Sequence, residues 1–347
     1  MPVIVRPSTP ADATPIAALM AQAFNVPLAT GREAMALMSW KFWDPRADWP
    51  GPRSFVAELD GRIVAHVGIW PVTFSREGAT IRGVHMLDWA ATPDAQGGGM
   101  SLVRKLITEF DFVYGIGGSD ITRELLPALG FKEISSTWSA ARPIRPVRQL
   151  LTHQVRNWKL AARFVRNAWW SMSPPVAIAS GWDAAPLRAE DVPAPLTAAS
   201  IGEARAMPRA GAFFEYVMRC PIGAYRLFGL SNRDGLQGCF LLGTVRGQAR
   251  IGGIWLRDPS DEHWRIAYGL ACRMALKTTG ASEVAAAVSK GVSHDAAARA
   301  GLRVIGRNPT PVVLISRRNA VSLHPDFQFQ MADDDSLFMD LGQTYLT

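Results

Sequence analysis

The sequence predicts a mixed α/β fold in two tandem copies, the second of them degenerate. Three observations predict it. Residues 88–110, DWAATPDAQGGGMSLVRKLITEF, read as strand, turn, glycine run and helix. Apolar runs of strand length alternate with apolar stripes at helical spacing along the whole chain. The order of elements over residues 1–135 then returns over residues 213–305.

The first copy opens with a short strand at residues 3–6. Ser8-Thr9-Pro10-Ala11-Asp12 is a helix-start signal, and Ile16, Leu19, Met20 and Phe24 give the stripe behind it. A second helix is expected over residues 32–42. Two apolar runs, 54–59 and 62–68, flank Asp60-Gly61, a strong short signal for a hairpin. The extended segment continues through residues 69–74, and 81–91 is the strand that enters the glycine run. Leu102, Leu106 and Phe110 place a helix after it. A strand at 112–115, a helix at 121–129 closed by Gly130, and a strand at 131–135 complete the copy.

A glycine run at the start of a helix leaves backbone N–H groups open to a bulky anion. The helix dipole adds partial positive charge there, so a phosphate or pyrophosphate is the natural guest. No Lys-Ser/Thr pair follows the glycines, and the spacing is not GxGxxG with an acidic residue about twenty positions on, so neither common nucleotide loop is present. The pattern V-x-P-x-x-[RQ]-G-x-G-x-[GA] does fit, with Ala91, Pro93, Gln96, Gly97, Gly99 and Ser101 at its positions. This resembles the acetyl-CoA loop of the GCN5-related N-acetyltransferases (GNATs). LPALGFKEI, residues 126–134, resembles that family's LYxKLGF segment, and the element order over residues 1–140 matches its fold.

The resemblance implies two tandem acyl-CoA N-acyltransferase folds and an acetyl-CoA-dependent transfer to a primary amine of a small molecule. It implies a cofactor site at Trp89, Ala90, Ala91, Gln96, Gly97, Gly98, Gly99, Met100 and Ser101, with acetyl-CoA as co-substrate and no metal. Asp88, five residues before Pro93, stands where many members carry an acidic residue and is the expected general base. His85 and His66, both on strands, are the alternatives. The family's usual acid, a tyrosine four residues before the glycine of LYxKLGF, is here Leu126; Tyr114 or Ser119 then stands nearest in the order. The other readings are a non-catalytic CoA-binding scaffold and a transferase of the same fold that uses aminoacyl-tRNA.

In the second copy, Phe213 to Pro221 echoes Met38 to Pro45. Strands at 225–230, 238–245 and 249–256 follow, with Asp234-Gly235 marking the hairpin. A helix at 263–278, a strand at 283–289, a helix at 294–299 and a strand at 302–305 continue it. No glycine run precedes its central helix. Arg257-Asp258-Pro259-Ser260-Asp261-Glu262 stands there and would repel a pyrophosphate, so this copy is expected to shape the acceptor pocket or a dimer.

Expected domain limits are 1–140, a basic linker helix within 141–182, a second copy at 183–318 and a tail at 319–347. Residues 134–182 contain no Asp or Glu and seven Lys or Arg, which accounts for the whole net charge of +7. Residues 148–170 read as an amphipathic helix with Arg156, Lys159, Arg163 and Arg166 on one face. Because the basic residues form one stripe, nucleic acid is not expected as a partner. The stripe is either the solvated basic face of a linker helix or a docking face for an anionic surface, a membrane leaflet or a polyanionic saccharide; a second copy of the chain is the other macromolecular partner left open. Three widely spaced cysteines and the absence of a leader pattern favour a reducing, cytoplasmic setting. The tail, with Phe327-Gln328-Phe329-Gln330 and Asp333-Asp334-Asp335, resembles the ends of tandem acetyltransferase-like proteins from bacterial polysaccharide clusters. That resemblance points to an amino sugar as acceptor. The acidic triplet is expected to pair with the basic helix or to be solvated.

Overall fold

A computed structural model describes residues 2–26, 31–76, 79–153, 158–172, 180–193, 196, 205–317, 323–324, 326–339 and 345–347. The chain divides into two compact units. The first comprises Met1–Ile134, Cys220–Ile222 and Val312–Ser322; the second comprises Ser135–Arg219, Gly223–Pro311 and Leu323–Thr347.

In the first unit, strand β1 (Ile4–Pro7) leads to helices α1 (Ala13–Phe24) and α2 (Arg32–Phe42). Then follow β2 (Ser54–Leu59), β3 (Arg62–Arg76), β4 (Ala79–Ala91), α3 (Gly98–Glu109), β5 (Phe112–Ile116) and α4 (Asp120–Ala128). Asp60 and Gly61, with φ of 51° and 76°, make the β2–β3 turn, both central residues in the left-handed region that a two-residue hairpin favours. Strands β1 to β4 run antiparallel in sequence order, and β5 joins β4 in parallel. Helix α3 turns Leu102, Val103 and Leu106 onto the sheet, all fully buried. At about 1.5–3 kcal/mol for each such side chain, this packing fixes where the start of α3 sits against β2 and β3.

The strand on the far side of β5 is not the one that follows α4. Strand β6 (Lys132–Pro143) leaves for the second unit, where Thr137–Pro143 pairs antiparallel with β11 (Glu283–Ser289). The place beside β5 is taken by the end of β12 (Arg303–Ser316), from Val312 opposite Ile116 to Ser316 opposite Phe112. The expected strands at 131–135 and 302–305 are thus the first residues of two much longer ones.

The second unit repeats the plan. Its described elements include α5 (Pro146–Thr152), α6 (Lys159–Ser171), β7 (Asp183–Pro186), α7 (Gly211–Met218), β8 (Ala224–Asn232), β9 (Gly235–Val245) and β10 (Gln248–Leu256). After them come α8 (Asp261–Lys277), β11 and α9 (Val292–Arg299). The sheet order is β12-β6-β11-β10-β9-β8-β7, with β10 and β11 parallel. Its core gathers Phe228, Phe240, Ile251, Trp264, Tyr268 and Val284 between sheet and helices. The expected helix over 148–170 is two helices, α5 and α6; Arg156 lies outside the described residues.

The described tail packs on the second unit, and its last residue, Thr347, bonds Gln149 of α5 and Asn167 of α6. Phe327, Phe329, Met331, Leu337, Phe338 and Tyr345 are buried, and buried Asp333 pairs with Arg209 at 3.1 Å.

Candidate active site

The site is built where β4 and β5 part. Their parallel register runs from Gly83 opposite Phe112 to His85 opposite Tyr114 and goes no further, while β4 continues to Ala91. Two side chains terminate the ladder. The His85 ring stacks on Tyr114 at 5.0 Å, and its Nε2 accepts the Ile116 N–H at 3.3 Å. An accepting Nε2 leaves the proton of a neutral imidazole on Nδ1. Tyr114 is fully buried between His85 and Phe112.

Beyond the split, β4 carries a bulge. Between the pairs Gly68–Leu87 and His66–Ala90, β3 advances two residues and β4 three. Asp88 takes up the extra residue with φ of 49°, a left-handed conformation that costs a non-glycine residue on the order of 1 kcal/mol. Two contacts hold it there. Lys41 Nζ from α2 reaches Asp88 Oδ2 at 2.5 Å, with both side chains about nine-tenths buried. His66 Nδ1 lies 3.1 Å from the Asp88 carbonyl.

The direction of the second contact is fixed by its surroundings. The Trp43 indole N–H donates to Ser8 Oγ at 3.0 Å, Ser8 donates to Ser54 Oγ at 2.6 Å, and Ser54 lies 2.8 Å from His66 Nε2. An indole can only donate and a carbonyl can only accept. The chain therefore runs one way, from Trp43 through Ser8, Ser54 and a neutral His66 to the Asp88 carbonyl. Burial, with Lys41 adding to it, pulls the His66 pKa down to about 4, in keeping with a neutral ring. His66 is thus a structural clamp on the bulge.

At the end of β4 the three glycines do different work. Gly97 caps α3 with φ of 83°, and an added Cβ there would meet nothing within 4 Å. Gln96 before it also has positive φ, 47°, and both are exposed. Gly98 and Gly99 are buried contacts: a Cβ on Gly98 would lie 3.1 Å from that of Ala57, and one on Gly99 3.1 Å from that of Ala91. The Trp89 indole donates to the Gly99 carbonyl at 3.0 Å and so ties the bulged strand to the first turn of α3. Ser101 Oγ bonds back to the Gly97 carbonyl at 3.2 Å. Ala90 is buried, Ala91 exposed and Met100 partly covered. The Gly98 amide bonds the Ala95 carbonyl at 2.7 Å and the Ser101 amide the Gly97 carbonyl at 2.9 Å; the Gly99 and Met100 amides have no acceptor within the helix, as at any helix start, and lie beside an exposed glycine.

Leu126 is buried in the core of the first unit, against the Gly115 position, so the family's tyrosine position is used here for packing. Ser119 caps α4, accepting the Thr122 N–H at 3.2 Å. Sequence reasoning missed Lys41, Ser8, Ser54 and the clamping role of His66. All three cysteines are buried, and burial raises Cys239 and Cys272 to about 12, which removes their thiolates from the chemistry. Among the described residues no cluster of His, Cys, Asp or Glu is arranged to hold a metal.

No protein-family profile matches the chain, and no curated protein is similar to it in sequence. Solved structures are similar in fold. A conserved protein of unknown function from Enterococcus faecalis V583, described as a probable N-acyltransferase, superposes with a TM-score of 0.58 at 10% identity, over 91% of this chain and 72% of that one. A tandem GNAT protein from the clavulanic acid biosynthesis pathway gives 0.54 at 11% identity, over 91% and 98%. The N-myristoyltransferase of Saccharomyces cerevisiae with bound myristoyl-CoA gives 0.53 at 10%, over 90% and 82%. At these identities the likeness is one of fold. The chain has the tandem GNAT fold, and the glycine run at the head of the central helix belongs to the first unit alone.

Proposed function

We propose that the first unit is an acyltransferase site that takes acetyl-CoA and transfers its acetyl group to a primary amine of a small molecule, an amino sugar being the acceptor class that the tail favours. The observation that carries this reading is the opening of α3: an exposed Gly97 in the left-handed region, followed by first-turn amides, at the end of a strand whose neighbour has parted from it. The residues fit the group. The turn at Gln96 and Gly97 and the amides of Gly99 and Met100 offer donors and dipole to a pyrophosphate, and the part of β4 beyond its register with β5 offers a backbone edge to an extended pantetheine arm. Bound there, the thioester would supply the activated acyl carbon.

The chain's own residues have three tasks. Backbone N–H groups at Trp89 to Ala91, past the bulge, are aimed by the His66 and Lys41 contacts and serve as donors to a developing oxyanion. Asp88, held by Lys41, accepts the proton that the amine must lose. Tyr114 Oη is the proton source on the β5 side, with His85 stacked on its ring to hold it in place.

Two observations favour a second reading, a CoA-binding scaffold without turnover: Asp88 is committed to Lys41, and Leu126 is packed in the core. Titration calorimetry with acetyl-CoA, followed by release of free CoA thiol over a panel of amines, separates the readings. The enzyme reading expects one site per chain and thiol release with at least one amine; binding without release leaves the scaffold, and no binding or two equal sites overturns both. Within the enzyme reading, Asp88→Asn should lower kcat by about 10²–10⁴-fold while leaving acetyl-CoA affinity unchanged. Lys41→Met removes the same ion pair but not the carboxylate, so its kcat should fall much less. Equal losses in the two variants would make Asp88 a structural residue.

A further inference from the structure

The two helices that follow β6 face the wrong way for a buried strut. Eleven large hydrophobic side chains are exposed among the described residues, and six of them belong to these helices and their ends: Val147, Leu151, Trp158, Val165, Trp169 and Met172. Trp158 and Trp169 are 79% and 73% exposed. An exposed apolar stripe of this kind marks a surface made to be covered.

The stripe is one-sided for a geometric reason. Gln149 on α5 and Asn167 on α6 are buried, bond to each other at 3.0 Å and share the Thr347 hydroxyl, at 2.8 and 3.4 Å. At 100° per residue, Val147 and Leu151 lie about 160–200° round their helix from Gln149. Trp158, Val165, Trp169 and Met172 lie about 140–200° round theirs from Asn167. Both stripes therefore point away from the same anchor. Exposed Arg148 on α5, and Lys159 and Arg166 on α6, flank them.

Charge chooses the occupant. Residues 134–182 carry seven basic side chains and no acidic one. Tryptophan, short aliphatic side chains and a purely cationic flank make up the composition of helices that lie in a lipid headgroup layer. Neither helix is long and apolar enough to cross a membrane. We propose that α5 and α6 are an interfacial platform that docks this protein on an anionic bilayer, the apolar stripe entering the headgroup–acyl boundary and Arg148, Lys159 and Arg166 lying among the lipid phosphates. The sequence had suggested that the basic face makes such a contact; the structure turns the apolar stripe to the surface and leaves the cations at its edge.

The test is independent of any catalytic role. Full-length protein is mixed with phosphatidylcholine vesicles, with or without about one third phosphatidylglycerol, and co-sedimentation and tryptophan emission are followed as salt rises from about 0.05 to 0.5 M. The proposal expects partition onto anionic vesicles only, a blue shift on binding, and release by salt. Trp158→Ser with Trp169→Ser should weaken partition by at least about tenfold. Arg148→Gln with Lys159→Gln should weaken it by about fivefold per charge. All four side chains are exposed, so circular dichroism of the variants should match the parent. Failure of the parent protein to partition, or undiminished partition of the tryptophan variant, overturns the proposal. So does a vesicle-free sedimentation experiment in which the tryptophan variant turns a dimer into a monomer, since the stripe would then belong to a contact between copies.

Discussion

The cleft of the first unit and its counterpart in the second are the same device with different contents. Both have a strand with one extra residue: β4 at Asp88, and β10 at Gly252, where the pairing with β9 slips between Ile251 and Gly253. In both, the parallel neighbour parts company just before that residue, after His85 opposite Tyr114 and after Ile251 opposite Ala286. From there they diverge. The first unit ends its strand in glycines and an uncapped helix start. In the second, α8 opens with Ser260, whose hydroxyl accepts the His263 N–H, and with Asp261 and Glu262, acids that complete the helix dipole and leave nothing for an anion.

The second split is filled by the chain itself. The Gln330 amide bonds both the N–H and the carbonyl of Ile254, at 2.6 and 3.2 Å, as a neighbouring strand would. Phe329 exchanges two backbone bonds with the Ser289 hydroxyl, and Gln328 accepts from Ser293 at the start of α9. Leu337 packs over Gly252, where an added Cβ would come within 2.8 Å of it. The comparison teaches that opening a sheet leaves unpaired backbone which something must satisfy. The second unit meets it with its own tail, whereas in the first the split lies beside the glycine-led start of α3.

The largest stability effect should come from emptying the filled cleft. Phe329 is 1% exposed, and Phe329→Ala should destabilise the protein by about 3–5 kcal/mol in urea titrations while leaving acetyl-CoA affinity intact. Loss of that affinity would mean that the two clefts are not independent. Next in size is a pH effect confined to the first. The His66 pKa is about 4 against 6.5 for a free ring, so the unfolded chain binds the extra proton between those values. The stabilisation is complete above about 6.5 and is lost as pH falls towards 4, about 3 kcal/mol in all. The difference in stability between parent and His66→Gln should shrink through that window; a constant difference would refute the neutral clamp.

Gly97→Asp gives the first helix the acidic opening of the second. Aspartate tolerates the left-handed region and caps helices, so the fold should survive. CoA affinity should fall by about 100-fold, or ~2.7 kcal/mol, by calorimetry. An unchanged affinity would remove the anion-binding role of this turn. The smallest effect is expected from Ser260→Ala, about 1 kcal/mol of stability from a lost cap, with no change in ligand stoichiometry.

Local chemistry was legible because it is written in neighbouring residues. The helix Arg32–Phe42 and the strands Ser54–Leu59 and Glu283–Ser289 lie where the sequence puts them: the helix shows an apolar stripe, and the strands, buried on both faces, read as short continuous apolar runs. The Asp60-Gly61 turn and the glycine run could be read for the same reason: their backbone angles follow from residue type. The sequence by itself therefore determined most of the elements, their order, the repeat and the glycine-led start of the central helix. The tertiary structure alone decided which partner each face meets. Nothing in residues 131–135 says that β6 will pair with β11 and cede its place beside β5 to β12. Nothing near Asp88 says that Lys41 will reach it across 47 residues, and nothing in the tail says that Phe329 will lie against Ser289. Those choices join groups distant along the chain, and they are settled only when the whole chain competes for the same buried surface and the same unpaired backbone.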